Sequence, residues 1–526
     1  MSHCGNFLIS LAILAGPILS ALILAADAEK VPNAEKKVNG RFTIGKETTY
    51  VDGPLDKDGY IDYLSALNER LRKGIKPDDN AYVVLCKAIG PHPEGAKLPK
   101  VFEWLGIDPP LEKGDYFVGS FRFGRDTLKL DSDKDRDEFE GQVKQASQRP
   151  WTTKEFPRVA AWLKVNEKPL AIIAEAHKRP RYYCPLVLSP SASSNTSMIG
   201  VMLPSAAVCR EVGRTFVVRA MLRCGQNEDG AWDDLLACHR IGDLIGRGAT
   251  LIELLIGASI QSVASRGCAA WLQHGQPTVE QLVKAMDELR KLPLLDIASK
   301  VDLAERFFVL ETVMLTDREG FDELKKGKKN NPRALQVLEM MNWDQALLAA
   351  NRWCDRLTAA MRENDRAKRK AKIKDMAGEG EALAADFRKL DPDKPRPFLE
   401  KSQARTYEIS HLLLSLMFPP IAKVEGTADR VTQERTNLIV AFALELYRRD
   451  NKGYPKELAA LVPKYLKQVP SDLFTGKDLI YRPNEKGYLL YSVGVNEKDD
   501  EGRGHDDTPR GDDLSIRMPS PEGPKK

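Results

Sequence analysis

The sequence lacks an excess of charge of one sign, a closely spaced cysteine pair and the common catalytic signatures. Lys and Arg number 79 against 75 Asp and Glu, and a net charge of +4 is too small to indicate nucleic acid as a partner. The eight cysteines include no CxxC, which disfavours redox chemistry and a zinc site. No HExxH, GxSxG, P-loop or strand-linked GxGxxG pattern is present. The chain therefore carries no signature of a metalloprotease, a serine hydrolase or a nucleotide-binding enzyme.

Long apolar runs are also scarce, and only Phe7 to Ala26 approaches the length that a bilayer span requires. Ala26-Asp27-Ala28 follows this run and fits a small-x-small cleavage site, although Met1 to Asn6 contains no Lys or Arg. We predict that residues 1–28 are a signal peptide or an N-terminal anchor, followed by a linker at 29–42. The expected location is the periplasm or cell envelope, with membrane contact only through this segment if it is retained.

The body of the chain is expected to be mainly helical. Residues 43–205 mix short strand-like and helical pieces, whereas helical periodicity dominates 206–390. Successive helices with short turns predict a bundle or a helical-pair solenoid. A Pro-rich linker at 391–405 then precedes a C-terminal unit at 406–526. The helices predicted for the helical domain are Ala206 to Arg223, Gly230 to Gly246, Ala249 to Gln273, Thr278 to Leu292, Val301 to Leu324 and Trp343 to Ala385.

Three polar residues in the helical domain are candidates for chemistry. The apolar surroundings of Glu253, His239 and Glu305 place them inside the domain, where a buried carboxyl must be paired or protonated. A general acid in a carboxylate-based hydrolase is one interpretation, because paired-carboxylate glycosidases carry no short signature. Ion pairs between helices, such as Glu253 with Arg240 or Arg306, explain the same residues without catalysis.

The stretch from Arg435 to Met518 predicts a small α+β unit. Apolar residues at helical spacing line one face of its first helix, which is expected to end near Asp450 to Gly453. A second helical stripe covers Leu458 to Leu466. Leu479 to Tyr481 and Tyr488 to Val493 predict a hairpin, and alternation through Leu514, Ile516 and Met518 predicts a third strand. The predicted fold class is thus mainly α, with a C-terminal long helix covered by a small antiparallel sheet.

The unit carries a series of short motifs in a fixed order. They are Tyr447-Arg448-Arg449-Asp450-Asn451, Tyr454-Pro455, Leu461-Val462, Val469-Pro470-Ser471-Asp472, Gly476, Tyr481 and Tyr491-Ser492-Val493-Gly494. In these motifs the unit resembles the globular head of the major pseudopilin of type II secretion systems. A pseudopilin begins with a leader and an unbroken apolar helix, whereas the apolar run Leu412 to Phe418 lies inside this chain and ends at Pro419-Pro420. We therefore interpret the unit as a borrowed recognition or packing module.

The resemblance implies a calcium site in the last loop of the unit, because that family binds calcium there. A hard cation takes six to eight oxygen ligands, which clustered carboxylates in a glycine-bearing loop can supply. A solvated acidic loop is the alternative interpretation. The residues that could supply ligands are Asp499, Asp500, Asp506, Asp507, Asp512 and Asp513.

One dense basic stretch runs from Arg366 to Lys374 without interleaved aromatic residues. This composition favours a solvated helix face over a phosphate-binding patch.

Further short motifs are spread over most of the chain: Lys46-Glu47-Thr48-Thr49-Tyr50, Ala88-Ile89-Gly90-Pro91, Asp233 to Arg240 and Glu305-Arg306-Phe307-Phe308. In these motifs the chain as a whole is similar to a family of large exported bacterial proteins. This similarity implies export and a composite architecture, and it brings no activity. The leading hypothesis is a non-catalytic envelope protein that binds another protein or an envelope polymer. The alternatives are the carboxylate-based hydrolase and a secretion-system accessory.

Overall fold

The structure is a computed structural model that describes residues 37–38, 41–93, 97–189, 198–326, 342–388 and 402–519. The leader at 1–28 lies outside the described residues, as do most of the linkers at 29–42 and 391–405. The described chain is mainly helical with one three-stranded sheet, so the predicted fold class is confirmed.

The described ranges contain sixteen α-helices. They are α1 Tyr63–Arg72, α2 Ala81–Ile89, α3 Pro99–Leu105, α4 Ser120–Asp126, α5 Asp133–Ala146, α6 Pro157–Val165, α7 Glu167–Glu175, α8 Ala206–Gln226, α9 Ala231–Gly246, α10 Leu251–His274, α11 Val279–Lys291, α12 Ile297–Lys300, α13 Arg306–Lys326, α14 Trp343–Met361, α15 Arg366–Arg388 and α16 Ser402–Asn451. A π-helical turn, Val301–Glu305, joins α12 to α13.

Within the described residues, seven strands form three separate sheets. The region predicted to mix short strands and helices, 43–205, contains short helices and two-residue strands in its described part. The strands are β1 Lys37–Val38, β2 Phe42–Thr43, β3 Val187–Leu188, β4 Val201–Met202, β5 Ile480–Pro483, β6 Tyr488–Ser492 and β7 Leu514–Met518, and they pair as β1-β2, β3-β4 and β5-β6-β7.

We call helices α8 to α15 the trunk. Helices α8, α9 and α10 form its centre, and glycines let two of them approach closely. A Cβ added to Gly242 of α9 would lie 2.8 Å from the carbonyl oxygen of Gly257 in α10. Only a residue without a side chain fits there, since such a separation is shorter than van der Waals contact. The sequence places each of these helices to within a few residues of its observed ends.

The 50-residue helix α16 joins the trunk to the C-terminal sheet. It packs against α10, α11, α14 and α15 on the trunk side and against β6 and β7 on the other. Trp232, Trp271 and Phe442 meet with ring centroids 5.2–6.3 Å apart. One continuous core therefore runs from α9 through α16 to the sheet.

This helix differs from the sequence prediction in length and in burial. It begins at Ser402 and includes Pro419-Pro420, the residues that follow the apolar run Leu412 to Phe418. Val440, Ala441 and Leu444 are as buried as the predicted stripe residue Phe442. The prediction of one apolar face covered by the sheet was incomplete, because the trunk covers the opposite face.

The C-terminal sheet is antiparallel in the order β5-β6-β7. Tyr481 pairs with Leu490, and Leu490 pairs in turn with Ile516. The predicted hairpin and third strand are thus observed. The helical stripe predicted for Leu458 to Leu466 is reduced to a single 3-10 turn, Leu458–Leu461. The helical stretch predicted from Trp343 to Ala385 consists of two helices, α14 and α15.

Within the part of the chain that the structure describes, no helix is both long enough and apolar enough to cross a membrane.

Candidate functional site

Two of the candidate acids in the trunk lie together at the N-terminus of α10. The Glu253 carboxylate accepts hydrogen bonds of 3.0 Å from the backbone N–H and the hydroxyl of Thr250. The Thr250 hydroxyl in turn accepts one from the Glu253 N–H, which completes a capping box. Glu305 accepts the Leu251 N–H at 3.0 Å. Both carboxylates therefore satisfy N–H groups that a helix start leaves unpaired.

Burial raises the pKa of both carboxyls, and the charge of Glu253 raises that of Glu305 further. Lys300 lies nearby and lowers the pKa of Glu253, while its ammonium donates to the Arg247 carbonyl at 2.9 Å. The ion pairs suggested for Glu253 were wrong. Arg240 lies 3.8 Å from Glu288 instead, and Arg306 pairs with aspartates of its own neighbourhood, Asp302 and Asp355.

The third trunk candidate, His239, is separate from this pair. It is 1% exposed, and its Nε2 lies 3.7 Å from the Cys268 thiol. Burial, followed by the charge of Arg435, lowers the pKa of His239 to about 3. The imidazole is therefore uncharged at neutral pH and sealed from solvent.

In the C-terminal unit, the loop between β6 and β7 folds around Asp513. This side chain is 2% exposed, and its Oδ2 accepts the N–H groups of Asp500 at 3.1 Å and Gly502 at 2.7 Å. Its Oδ1 is buried without a hydrogen-bond partner among the described residues. Burial raises the pKa of Asp513, and the charges of Asp500 and Asp499 add to this increase.

Three further aspartates brace the same loop. Asp500 Oδ2 accepts from the Asp512 N–H at 2.9 Å, and that bond is the main reason that the Asp500 pKa is lowered. Asp512 accepts from the Asn496 N–H at 3.0 Å. Asp499 accepts from the Tyr491 hydroxyl at 2.9 Å. The structure therefore brings four of the six proposed ligand residues to one turn.

The other two proposed ligands are placed differently. Asp507 forms two 3.1 Å contacts with Arg517, and these lower its pKa. Asp506 is exposed. In the described ranges, no three His, Cys, Asp or Glu side chains are arranged to hold a metal ion. One oxygen of every proposed ligand except Asp506 already accepts a backbone N–H group. The unpartnered Oδ1 of Asp513 is the feature that fits a cation.

The basic stretch on α15 holds this loop and α16 in place. Arg366 lies 2.8 Å from Asp429 and 2.7 Å from Glu497, and its guanidinium lies over the Phe474 ring. Arg366 and Arg369 are only 11% and 13% exposed, so the expected solvated face is wrong for these two residues. We call the whole set the closed network: Arg366, Arg369, Lys370, Glu425, Asp429 and Glu497.

A second cluster of cations borders an open cleft of about 490 Å³ between the C-terminal ends of α10 and α16 and the hairpin. Glu445 accepts from Arg448 at 2.7 Å and from Arg449 at 2.8 Å. Lys486, from the turn between β5 and β6, also lines the cleft. The hydroxyl of Tyr488, a residue that is 2% exposed, has no hydrogen-bond partner in the described chain.

Sequence reasoning missed the cleft as a site. Arg448 and Arg449 were used only as part of the resemblance, because arginines in the last turn of a helix are ordinary partners of its dipole. A lysine in a hairpin turn is equally unspecific. A signal was present only in the combination of three cations with one carboxylate, and their proximity depends on the tertiary fold.

Comparison with known proteins found no matching family model, no matching curated protein and no matching solved structure.

Proposed function

We propose that this protein is an exported binding protein of the cell envelope, in which the helical trunk carries the pseudopilin-like C-terminal unit as its recognition surface. The ligand is an envelope polymer. One observation carries the proposal: an open cleft with excess positive charge lies between the unit and the C-terminal end of α10. Pockets of roughly 300–1,000 Å³ with a few convergent polar groups are typical of ligand sites.

Rigid attachment of the unit supports this proposal. The core is continuous through α16, and the closed network joins α15 to the acidic loop. A binding surface that is held in one conformation loses less entropy when a ligand binds. The trunk acids also support a binding role without catalysis. The carboxylates of Glu253 and Glu305 accept backbone N–H groups at the N-terminus of α10.

The binding proposal is tested by co-sedimentation of the full chain with purified peptidoglycan and envelope polysaccharide. We expect Lys486→Glu or Lys498→Glu, in the C-terminal unit, to weaken sedimentation. Lys134→Glu and Lys164→Glu are matched controls, because these lysines are equally exposed but lie on α5 and α6. Equal loss in both sets, or no sedimentation by the unaltered chain, would reject the unit as a polymer-recognition surface.

Export is tested separately by fusing residues 1–42 to alkaline phosphatase, which is active only outside the cytoplasm. Activity in intact cells supports export. A fusion that is inactive, while an established signal peptide gives activity in parallel, rejects it. Fractionation of the active fusion shows whether the segment is cleaved or retained as an anchor.

Calcium at the acidic loop is a second proposal, and the unpartnered Oδ1 of Asp513 favours it. Calcium bound there would tie the loop ends together through carboxylates that now accept backbone N–H groups. We expect calcium, and not magnesium, to raise the thermal midpoint of the full chain, because a ligand that binds only the folded state stabilises it. Asp513→Asn should abolish the increase and Asp506→Asn should reduce it little. Equal midpoints with and without calcium would reject the site.

A further inference from the structure

We propose that the open cleft binds an acidic saccharide unit, one or two sugar rings that carry a carboxylate or a phosphate. This inference rests on the proposed binding function and deepens it by giving the ligand class.

The charge of the cleft favours an anionic ligand. Its lining contains one carboxylate, Glu445, and three cations: Arg448, Arg449 and Lys486. The Glu445 carboxylate accepts hydrogen bonds from Nε and one terminal nitrogen of Arg448 and from Nε of Arg449. The remaining guanidinium N–H groups have no protein acceptor among the described residues, so they are available to a ligand. Arginine donors match the planar geometry of carboxylate and phosphate oxygens.

The lining of the cleft selects a ring with a partly apolar face. Leu272, Met518 and Pro519 contribute apolar surface. Tyr454 and Tyr488 meet edge to face with centroids 4.9 Å apart, and the Arg448 guanidinium lies 5.9 Å from the Tyr454 ring centroid. Such a wall accommodates the C–H face of a sugar ring, whereas a small inorganic anion would leave most of the cleft unfilled.

An amide in the lining favours a ligand with hydroxyls. Gln276 lines the cleft, and a glutamine amide offers both donors and an acceptor. The Tyr488 hydroxyl lies below the surface, since it is buried and has no hydrogen-bond partner in the described chain. The hydroxyls of a sugar ring can pair with the Gln276 amide while its acidic group meets the cations.

The decisive experiment is isothermal titration calorimetry of the full chain with three probes: digalacturonate, glucose 6-phosphate and the neutral disaccharide cellobiose. We expect at least one acidic probe to bind about tenfold more tightly than cellobiose, because hydrogen bonds to charged groups are the stronger ones. The tighter of the two acidic probes identifies a carboxylate or a phosphate source. Affinity should fall as salt is raised, because the cationic side chains are partly exposed.

Two variants and one control locate the binding. Lys486→Gln and Gln276→Ala should each weaken the acidic probe about fivefold. Lys477→Gln is the matched control, since this lysine is exposed on the same unit but does not line the cleft, and it should leave affinity unchanged. A circular dichroism melt of Gln276→Ala with an unchanged midpoint shows that the loss is not caused by unfolding.

Three outcomes would overturn the inference. They are no heat with either acidic probe, equal affinity for cellobiose, or unchanged affinity in both cleft variants. Each is distinguishable from failure of the proposed function. If the full chain still sediments with an envelope polymer and the Lys486→Gln, Gln276→Ala double variant sediments equally, the envelope-binding role stands and the cleft is not its site.

Discussion

The two arginine clusters of the C-terminal half use the same residue types to opposite effect. In the closed network three cations meet three carboxylates, and the guanidinium groups are 11% and 13% exposed. In the cleft Arg448 and Arg449 share Glu445, Lys486 adds a third cation to the lining, and Arg448 is 44% exposed. Charge balance and access to solvent, and not composition, therefore distinguish a cluster that stabilises the fold from one that has donors left for the proposed ligand.

The largest loss of stability is expected when a carboxylate is removed from the closed network. Asp429→Ala removes the acceptor shared by Arg366 and Arg369 and leaves two poorly solvated guanidinium groups. We expect the free energy of unfolding to fall by about 3 kcal/mol, measured by urea denaturation. Glu379→Ala, which breaks an exposed pair with Arg356, should cost at most about 0.5 kcal/mol. Equal losses would contradict the distinction between buried and exposed pairs.

A smaller effect is expected at the cleft from Glu445→Gln. Burial raises the pKa of Glu445, but hydrogen bonds from Arg448 and Arg449 outweigh this and lower it overall. The ion pairs therefore stabilise the folded state fully above the ordinary glutamate pKa. This stabilisation is lost as pH falls through the lowered pKa of Glu445. We expect a loss of about 1 kcal/mol at pH 7. Urea titrations should show this difference shrinking below about pH 4, and a constant difference would argue against the ion pairs.

The smallest effect is expected from a pair of tyrosine substitutions on one strand. Tyr491→Phe removes a 2.9 Å hydrogen bond to Asp499 and should cost about 1 kcal/mol. Tyr488→Phe removes a hydroxyl that has no partner in the described chain, so stability should change by less than about 0.5 kcal/mol. A larger loss for Tyr488→Phe in thermal melts would mean that its hydroxyl serves the fold.

The sequence predicted those features that depend on neighbours along the chain. Helical spacing located α8 to α11, and the alternation of Leu514, Ile516 and Met518 located β7. The hairpin of β5 and β6 was also recognised, and the Asn484 N–H donates to the Gly487 carbonyl at 2.9 Å to close its turn. Each of these features is determined within a few residues, by periodicity or by turn chemistry.

The features that remained hidden depend on residues that are far apart in the chain. Arg366 and Glu497 are separated by 131 positions, so no local pattern could distinguish a solvated face from a buried ion pair. The length of α16 was missed because Pro419-Pro420 is a common stop signal. The cleft required α10, α16 and the hairpin together, which no periodicity encodes.

Helix α16 has a mechanical consequence for the whole molecule. Because α16 packs against both the trunk and the sheet, neither part can unfold while the other keeps its packing. The two halves should unfold in one cooperative step, and limited proteolysis near Gly426 should leave no folded C-terminal fragment. A molecule built in this way is kept or degraded as a unit.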